Sequence, residues 1–528
     1  MALLIGDLLA DAAAVAPAAP AVTLGERALS YSELDDAANR TAHVWHGMGI
    51  GAGDVVAWWT RPTLAAVAAF AATARLGAVF APLNPVLGRG EAADILEYLH
   101  PRLLVVDPAH AELVADELAG GDLPFAITGA GAAGVSMATR RAWPALDLDA
   151  ATAAAHGSPF VASVPISDDD PHVIYLTSGT TGRPKGVVVS HRASWLRSFP
   201  GGSTFSVGLR GPGGILASFP LFHYGGWHYV LEAWHHRCCV HLSERFDGPG
   251  LVGVADRWKP TGMYCIPAVW GRVLEACPSG PELASVRHAD TGTSAAPLEL
   301  LERLRDRLPE ATTSVLYGSS EGGHHTTLAD WDIARKPGSV GRVAPPGVIR
   351  CGPDGEILYR SPTLMLGYFE LPEETAKALA GGWYHTGDLG LLDEERYVYV
   401  TGRVREVIRT GGEYVAPTEV EAALFGYPGL ADLAVVDIAD DRWGEVVCAV
   451  VVPLEGSEAP TVAALRDHIG AALAPFKHPR RVVVAGDIPR TAATRQVQRT
   501  LLRERIGLAP LDPSPPGPFD GSDPDQIG

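Results

Sequence analysis

Runs of β-branched and other apolar residues alternate with alanine-rich stretches along the first hundred residues of the chain. Strand-type runs at 55–59, 78–81 and 103–106 enclose helix-type stretches at 64–74 and 91–99. Strands that alternate with helices of this length are typical of βαβ units, in which parallel strands form one sheet and helices cover its faces. The sequence therefore predicts an α/β fold.

The same alternation returns after residue 170 and predicts a second α/β lobe. Its strand-type runs are at 173–176, 215–218 and 261–266. From about 338 to 400, short strands are separated by Gly/Pro turns, which indicates an antiparallel or barrel-like section. Beyond 401 the runs at 433–436 and 448–452 and the helix-type stretch at 462–473 predict a small α+β region.

The length of 528 residues exceeds what a single hydrophobic core usually serves. We predict a large N-terminal domain at 1–402, made of two α/β lobes and the barrel-like section. A small, mobile α+β domain at 403–508 follows it. Residues 509–528 contain six prolines and four aspartates and little to bury, so we expect a disordered acidic tail.

Composition excludes several classes of protein. With 61 acidic against 42 basic residues, the net charge is -19, which argues against nucleic-acid binding because phosphate neutralisation needs clustered cations. The N-terminal stretch lacks a basic region and carries Asp7 and Asp11, so neither a signal peptide nor a membrane partner is expected. The six cysteines show no CxxC spacing. We therefore expect a reduced, cytoplasmic protein.

A segment rich in glycine and hydroxyl residues follows the predicted strand at 173–176. Its candidate phosphate-binding residues are Thr177, Ser178, Gly179, Thr180, Thr181, Gly182 and Lys185. Backbone N–H groups and hydroxyls in such a loop can surround polyphosphate oxygens, and the lysine adds a positive charge. The spacing of the Walker A loop is not met. We interpret the segment as a nucleotide-binding loop of another kind.

This segment resembles the phosphate-binding signature of the adenylate-forming superfamily, which includes acyl-CoA and aryl-CoA ligases, peptide-synthetase adenylation domains and luciferases. Segments similar to further family motifs follow in the family's order, at 220–223, 291–297, 317–321, 384–388 and 402–406. The resemblance extends over nearly the whole chain. It implies that ATP and Mg²⁺ are cofactors, that a small-molecule acid is the substrate and that coenzyme A is the co-substrate.

The resemblance also implies roles for single residues around the nucleotide. In the segment 317–321, Tyr317 lies along adenine, Gly318 belongs to the same signature, Ser320 meets the α-phosphate and Glu321 helps to hold magnesium as a catalytic residue. Gly292 lies in a small-residue segment that lines the adenine and acyl pockets. A carboxylate beside Mg²⁺ suits adenylation, because two anions must approach each other in line.

Four further residues are assigned through the resemblance. His223 is a catalytic candidate, as the gate beside the acyl pocket. Asp388 binds the ribose hydroxyls, which suits an ionised carboxylate that only accepts hydrogen bonds. Arg403 is a nucleotide-binding candidate, and Arg405 belongs to the hinge between the domains.

The chain departs from the family at the C-terminal catalytic lysine. The family has Pro-Arg-Thr, a short turn, and Gly-Lys, whereas this chain has Pro489-Arg490-Thr491 followed by Ala-Ala-Thr-Arg-Gln-Val. Counting forward places Arg495 at the lysine position, and counting backward from the following motif places Gln496 there. Only five of the 42 basic residues are lysines, so drift from lysine to arginine explains the charge but not the lost glycine and spacing.

Three hypotheses follow from this departure. The first is an ATP-dependent ligase that adenylates an aryl or acyl acid and transfers it to coenzyme A, with Arg495 or a repositioned group replacing the lysine. The second is an enzyme of the same fold that activates another oxyanion or serves an amine, for example a nitrite-dependent diazotase. The third is a catalytically silent adenylate-binding protein. A monomer or a homodimer is expected in each case.

Overall fold

The computed structural model describes most of the chain. The described residues are 2–114, 125–129, 146–177, 184–199, 213–278, 280–404, 406–410, 413–440, 442–491 and 496–507. The predicted disordered tail at 509–528 lies outside them. The chain divides into two compact units, one made of Met1–Ile349 and Leu358–His385, the other of Arg350–Ile357 and Thr386–Gly528. The predicted domain boundary at 402 stays a prediction.

The first unit contains two large sheets. In order across the first sheet, the strands are Arg342–Val343, Gly323–Leu328, Val315–Ser319, His288–Gly292, Gly262–Tyr264, Ile215–Ala217, Val240–Leu242, Pro20–Leu24 and Arg27–Ser30. Across the second sheet they are Gly367–Tyr368, Lys185–Ser190, Pro171–Thr177, Val79–Pro82, Val55–Trp59, Leu103–Val106, Phe125–Ile127 and Leu146–Asp147. These sheets confirm the two predicted α/β lobes.

Parallel pairing forms the centre of both sheets, as the alternating pattern predicts. Val55–Trp59 pairs in parallel with both of its neighbours, and Ile215–Ala217 does the same in the other sheet. The helices of the first unit are Ile5–Val15, Tyr31–Gly47, Leu64–Leu76, Arg89–Leu99, Pro108–Val114, Leu148–Ala154, His191–Ser198, Tyr224–His236, Gly248–Trp258, Pro267–Ala276, Leu298–Arg307, Asp330–Ile333 and Pro372–Ala378. Parallel strands are covered on both faces and therefore consist of continuous apolar runs.

The helix Leu64–Leu76 shows why the alanine-rich stretches are helical. Thr63 caps its start by accepting a hydrogen bond from the Ala66 N–H, and Gly77 ends it in the left-handed conformation, with φ of 70°. Nearly all of its residues are buried, so small side chains allow close packing on every side. Among the residues that the structure describes, no helix combines the length and apolar character that a membrane span requires.

The main hydrophobic core lies in the first unit and includes residues of both large sheets. Trp227 of the helix Tyr224–His236 is fully buried and stacks on Phe70, with ring centroids 4.0 Å apart. Its edge meets Phe80 of the strand Val79–Pro82. Trp227 is therefore a core residue.

The second unit is built around antiparallel strands. One small sheet, of which residues 350–357 and 386–403 belong to this unit, contains Val348–Cys351, Glu356–Arg360, Tyr384–Leu392 and Val398–Arg403, in the section predicted to be antiparallel or barrel-like. Another contains Glu413–Val415, Ile408–Thr410, Gly444–Pro453 and Leu430–Asp440, with Arg481–Val484 paired to Gly444–Pro453. Its helices are Pro417–Ala423, Val462–Ile469 and Arg499–Arg505. This arrangement confirms a small α+β region.

Candidate functional site

The candidate phosphate loop joins two antiparallel strands. In this hairpin Thr177 lies opposite Lys185, and the Thr177 hydroxyl donates to the Lys185 carbonyl over 3.3 Å. The other predicted loop residues, Ser178, Gly179, Thr180, Thr181 and Gly182, lie outside the described part of the chain. The two ends of the loop are thus held together, as a tight phosphate-binding turn requires.

Lys185 lies close to the predicted magnesium residue. Its ammonium group is 4.8 Å from the centre of the Tyr368 ring, and the Tyr368 hydroxyl donates to Oε1 of Glu321 over 3.0 Å. The Met365 N–H donates to the carbonyl of Glu321 over 2.7 Å, and the strand Gly367–Tyr368 pairs with Lys185–Ser190. The segment 365–368 therefore brings a cation and a carboxylate that are far apart in sequence to one place.

An acidic partner holds the Lys185 side chain. Nζ of Lys185 donates to Oε2 of Glu374 over 2.6 Å, and Lys377 donates to the other carboxylate oxygen. These hydrogen bonds lower the pKa of Glu374 to about 2. The carboxylate is consequently ionised at neutral pH, and an incoming phosphate must compete with it for the lysine.

The predicted nucleotide signature forms the end of the strand Val315–Ser319. Tyr317 lies opposite Thr326, and the pairing shifts by a bulge before Gly318. A Cβ atom on Gly318 would lie 2.2 Å from the Gly323 carbonyl oxygen, so only glycine fits there. The Ser319 hydroxyl accepts from the Gly322 N–H over 3.1 Å, which closes the turn that carries Ser320 and Glu321.

Arg197, which the sequence reasoning missed, supports this turn from the helix His191–Ser198. Its guanidinium group donates to the carbonyls of Ser320, Glu321 and Thr363 over 2.8 to 2.9 Å. It also lies over the Tyr224 ring, 5.2 Å from the centroid. Because burial opposes its charge, the pKa of Arg197 is lowered, but three carbonyl dipoles still solvate the cation.

Gly292 allows two strands to approach each other closely. A Cβ atom there would lie 2.0 Å from the Leu316 carbonyl oxygen and 2.8 Å from the Tyr264 hydroxyl. The Tyr264 hydroxyl is hydrogen bonded to the Thr293 hydroxyl over 3.0 Å. Gly292 therefore lies beside the strand that carries Tyr317, as the resemblance implies, while its contact with nucleotide stays a prediction.

His223 caps the helix Tyr224–His236. Its Nδ1 accepts from the Gly225 N–H over 3.0 Å, and its ring stacks on Phe219. Burial lowers the pKa of His223 to about 4, so the imidazole is neutral at pH 7. Gly225 and Gly226 let the helix start against Phe219 and Pro220, because a Cβ atom at either position would lie within 2.8 Å of them. The capping role is structural, and the predicted gating role is untested.

The two neighbouring histidines after Glu321 have different surroundings. The His325 ring stacks on Tyr359 with centroids 4.1 Å apart and meets Tyr317 edge to face at 5.2 Å. His324 instead bonds through Nε2 to the Thr326 carbonyl and the Thr327 hydroxyl. Within the described residues no group of three or more His, Cys, Asp or Glu side chains could hold a metal ion.

Magnesium bound mainly through ATP phosphates needs one or two protein carboxylates rather than a cage of protein ligands. Glu321 is half-buried, and Oε1 is oriented by the Tyr368 hydroxyl. This donor set fits a magnesium ion that arrives with ATP.

In the second unit the predicted ribose residue is paired with the predicted nucleotide arginine. Asp388 lies opposite Arg403 in an antiparallel ladder, and Oδ1 is 3.0 Å from Nε of Arg403. Asp388 is buried, whereas the Arg403 side chain is about half exposed. Arg405, the predicted hinge residue, lies outside the described residues.

The segment that lacks the family lysine is closed by hydrogen bonds. Arg490 and Val497 form an antiparallel bridge, the Thr491 N–H donates to the Gln496 carbonyl over 2.8 Å, and the Gln496 N–H donates to the Thr491 hydroxyl over 3.1 Å. The described residues on the two sides of 492–495 therefore pair as in a hairpin. Residues 492–495, which include Arg495, lie outside the described residues, while Gln496 is in the closing pair.

Two arginines fix this hairpin to the second unit. Arg490 donates to both carboxylate oxygens of Asp432 over 2.7 and 3.1 Å. Arg499 donates to Glu406, to Glu421 and to the Val435 carbonyl over 2.6 to 3.0 Å. Burial raises the pKa of Glu421 even though Arg499 opposes the shift, so this pair belongs to the interior of the unit.

Comparison with known sequences gives two matches along the chain. Residues 9–369 match the AMP-binding enzyme family, and residues 419–495 match the AMP-binding enzyme C-terminal domain. A long-chain-fatty-acid–CoA ligase of Mycobacterium tuberculosis is 30% identical over 493 residues, which cover 90% of this chain and 93% of the relative. A feruloyl-CoA synthase of Amycolatopsis sp is 32% identical over 513 residues, which cover 94% of this chain and 97% of the relative.

A solved structure shows the same fold. The o-succinylbenzoate coenzyme A synthetase of Bacillus subtilis, in complex with ATP and a magnesium ion, superimposes with a TM-score of 0.77 at 25% identity. The alignment covers 94% of this chain and 99% of that structure. The described architecture is therefore that of adenylate-forming enzymes.

Proposed function

Because the chain belongs to the AMP-binding enzyme family and is an adenylate-forming acid–thiol ligase, we propose that it activates an aryl or acyl carboxylic acid with ATP and passes the acyl group to coenzyme A. The observation that carries the proposal is the connection of Lys185 to Glu321 through Tyr368. This connection supports a single nucleotide site in which Lys185 binds the phosphates and Glu321 binds the magnesium ion. The relatives do not favour a diazotase or a silent protein.

In the first half-reaction a carboxylate oxygen of the acid attacks the α-phosphorus of ATP. The bond from that phosphorus to the bridging oxygen of the β-phosphate breaks, and pyrophosphate leaves with the electron pair. Both reactants are anions, so their charge must be neutralised before they can approach in line. When bound, Mg²⁺ would supply charge neutralisation on the phosphates.

We assign the roles within this proposal as follows. The loop from Thr177 to Lys185 binds the phosphates, Ser320 contacts the α-phosphate and Glu321 holds magnesium. Tyr317, Gly318 and Gly292 contact adenine, and Asp388 binds the ribose with Arg403 beside it. The Asp388–Arg403 ion pair supports this role, since it orients the carboxylate.

In the second half-reaction the thiolate of coenzyme A attacks the acyl carbon, and AMP leaves as the C–O bond to the phosphate breaks. The thiol proton passes to solvent. In the family the C-terminal domain rotates between the two steps, and we propose Arg405 as the hinge residue here. His223, neutral and at the start of the helix Tyr224–His236, is proposed as the gate of the acyl pocket.

The hairpin tip at 492–495 is proposed to replace the family lysine. Thr491 and Gln496 are hydrogen bonded to each other on either side of these residues, and Arg495 carries the positive charge. Arginine supplies charge and several donors but lacks the compact ammonium geometry.

A screen of pyrophosphate exchange into ATP tests the proposal. Aryl, medium-chain and amino acids are compared, each with and without Mg²⁺, and product formation is followed with coenzyme A. We expect exchange that requires one class of acid and Mg²⁺, and an acyl-CoA product. Tight ATP binding without exchange for any acid would contradict the proposal.

A further inference from the structure

A small polar cavity lies in the first unit, next to the nucleotide signature. Its volume is about 30 Å³, and its walls include Arg197, His228, Glu232, His324, Tyr359 and Thr363. A cavity of this size holds about two water molecules, or one hydroxyl or amino group. Since Arg197 also holds the carbonyls of Ser320 and Glu321, the cavity is one side chain away from the predicted magnesium residue.

Glu232 presents an unpartnered acceptor to this cavity. Its side chain is 3% exposed, and Oε2 has no hydrogen-bond partner among the described residues. The nearest cation candidate is His228, one helical turn earlier, with Nε2 at 3.6 Å from Oε2, which is too long for a hydrogen bond. Buried polar atoms in folded proteins are normally paired, so an orphan carboxyl oxygen in a cavity wall indicates that a hydrogen-bond partner, such as a donor, is missing.

The other polar groups in the cavity wall do not supply that donor. The guanidinium of Arg197 is engaged by three carbonyls. Burial lowers the pKa of His228 to about 3 and that of His324 to about 4, so neither ring carries a charge at pH 7. His324 Nε2 is bonded to the Thr326 carbonyl.

The charge state of Glu232 points in the same direction. Burial and the neighbouring Asp290 raise the pKa of Glu232 well above its usual range. The cavity is therefore neutral apart from the engaged Arg197. A second carboxylate would find no free cation there, and an alkyl end would leave Oε2 unpaired. The surroundings favour an uncharged polar group, or an amine that brings its own proton.

We propose that the cavity selects the acid substrate, and that the Glu232 carboxyl group, with His228 beside it, exchanges a hydrogen bond with a hydroxyl or amino group remote from the reacting carboxylate. This inference rests on the proposed function, because it names the class of acid that the ligase activates. Glu232 is a specificity-determining residue in this account. It contacts the substrate at a distance from the reacting atoms.

Matched acids test the proposal on the full-length protein. The series is 3-phenylpropanoic acid with its 4-hydroxyl, 4-amino and 4-methoxy derivatives, together with octanoic acid and its 8-hydroxyl and 8-amino derivatives. We expect kcat/KM for pyrophosphate exchange to be at least about tenfold higher for the best donor acid than for its parent, because a polar site rejects analogues that leave it unpaired. The methoxy acid, which can accept from a protonated carboxyl group but cannot donate, should rank between the hydroxyl acid and the parent. Comparing the hydroxyl derivatives with the amino derivatives shows whether the cavity prefers a neutral or a cationic donor group.

Two variants connect the preference to Glu232. Glu232→Met keeps the volume and removes the acceptor, so the donor-to-parent ratio should fall to about one while the parent acid is still activated. Glu275→Met, the same substitution at an exposed position of the helix Pro267–Ala276, is the matched control because Glu275 is not in the cavity wall. It should leave the ratio unchanged. Thermal unfolding of each variant verifies the fold.

A wild-type preference for the parent acids, or an unchanged donor-to-parent ratio in Glu232→Met, would overturn this inference. Pyrophosphate exchange with any of these acids would still support the proposed ligase activity. If no acid gave exchange, the proposed function would fail, and calorimetric binding of the same acids in the presence of ATP would still test Glu232. Tighter binding of the donor acids to the wild type than to Glu232→Met would support the inference. Equal binding would overturn it.

Discussion

An arginine holds each of two regions that the adenylation chemistry needs, a buried one in the first region and a half-buried one in the second, but only the first region has kept the residue that the family uses. Arg197 holds the turn of Ser320 and Glu321 in the first unit, and Arg499 holds the hairpin of Gln496 in the second. The first region presents the carboxylate that the family uses. The second presents arginine and glutamine where the family has lysine.

The difference shows that the framework of a site and its reactive side chain can change independently. Backbone groups and the Thr491 hydroxyl close the hairpin, so replacing residues at its tip leaves those bonds in place. The anchors also differ in charge. Arg197 is paired with neutral carbonyls, whereas Arg499 neutralises two carboxylates. The comparison therefore predicts that replacing Glu321 in the first region lowers activity. It predicts that replacing Arg499, the anchor of the second region, lowers stability.

The largest expected effect is on the region that keeps the family residue. Glu321→Ala removes the magnesium carboxylate, and we expect acid-dependent pyrophosphate exchange to fall by about 10²–10³, the range for loss of one preorganised electrostatic group. Glu373→Gln, an exposed change in the helix Pro372–Ala378, is the control and should be silent. If Glu321→Ala kept a third or more of the activity, Glu321 would not be the magnesium carboxylate, and the claim that the first region keeps the family's catalytic residue would be wrong.

The second prediction concerns the anchor of the hairpin. Arg499→Met leaves the half-buried Glu406 and Glu421 without their cation, so the free energy of unfolding of the second unit should fall by at most about 3–5 kcal/mol, the range for breaking a fully buried pair. Arg505→Met is the matched control, because Arg505 pairs with the exposed Asp487, and such pairs contribute less than about 1 kcal/mol. Denaturant unfolding measures both. Equal losses of stability in Arg499→Met and Arg505→Met would show that Arg499 contributes no more than a surface ion pair.

A pH dependence of stability is expected for the first unit. Burial lowers the pKa of His223 and His324 to about 4 and of His228 and His325 to about 3. Below pH 6.5 these histidines become protonated in the unfolded chain but stay neutral in the folded protein. The free energy of unfolding should therefore fall as the pH drops from 6.5 towards 4. Burial raises the pKa of Asp290 to about 8. Asp290 therefore makes the protein less stable as the pH rises, and above pH 6.5 the histidines no longer offset this effect.

Because Asp290 holds its proton in the folded protein, its contribution is complete below pH 4 and is lost as the pH rises through 8. Glu232, with a raised pKa, acts in the same direction. The melting temperature should therefore be highest near pH 6.5 and lower on both sides, as measured by calorimetry. Asp290→Asn should flatten the alkaline side and steepen the acid side between about pH 4 and 6.5, because the contribution of Asp290 declines over that whole range. A flat profile on the acid side would show that the histidines are not buried in neutral form.

The smallest expected effect is on nucleotide affinity. Glu374→Gln removes the ionised competitor of phosphate for Lys185, so the KM for ATP should decrease a few-fold, as expected for a partly exposed ion pair worth about 1 kcal/mol. Initial rates at varied ATP measure this change, with Glu373→Gln as the control. An increased KM would mean that Glu374 orients the lysine for phosphate and does not compete for it.

The sequence predicted the elements of this fold closely where local patterns are strong. The strands at 55–59 and 103–106 have the predicted bounds, and the helix predicted at 64–74 continues to Leu76, where Gly77 ends it. The helix predicted at 462–473 ends earlier, at Ile469, because the chain turns at Gly470. Such ends depend on backbone conformation, which periodicity does not report.

Parts of the candidate site had no local signal. Arg197 contacts residues 123 to 166 positions away, and Tyr368 reaches Glu321 across 47 positions, so neither belongs to a motif that spacing can show. Glu232 appears in the sequence as one more charged residue of a helix. Its significance comes from burial and from an unpaired oxygen, both of which are properties of tertiary packing.

The two half-reactions measured separately on the hairpin variants test the central claim most directly. The claim is that a ligase with an intact nucleotide region uses the tip at 492–495 in place of the lost lysine. Arg495→Ala should lower acid-dependent pyrophosphate exchange by about 10²–10³ and leave thiol transfer from supplied acyl-adenylate within about twofold, while Gln496→Ala, the neighbouring control, changes both little. Unchanged exchange in Arg495→Ala, or equal loss in both half-reactions, would contradict the account.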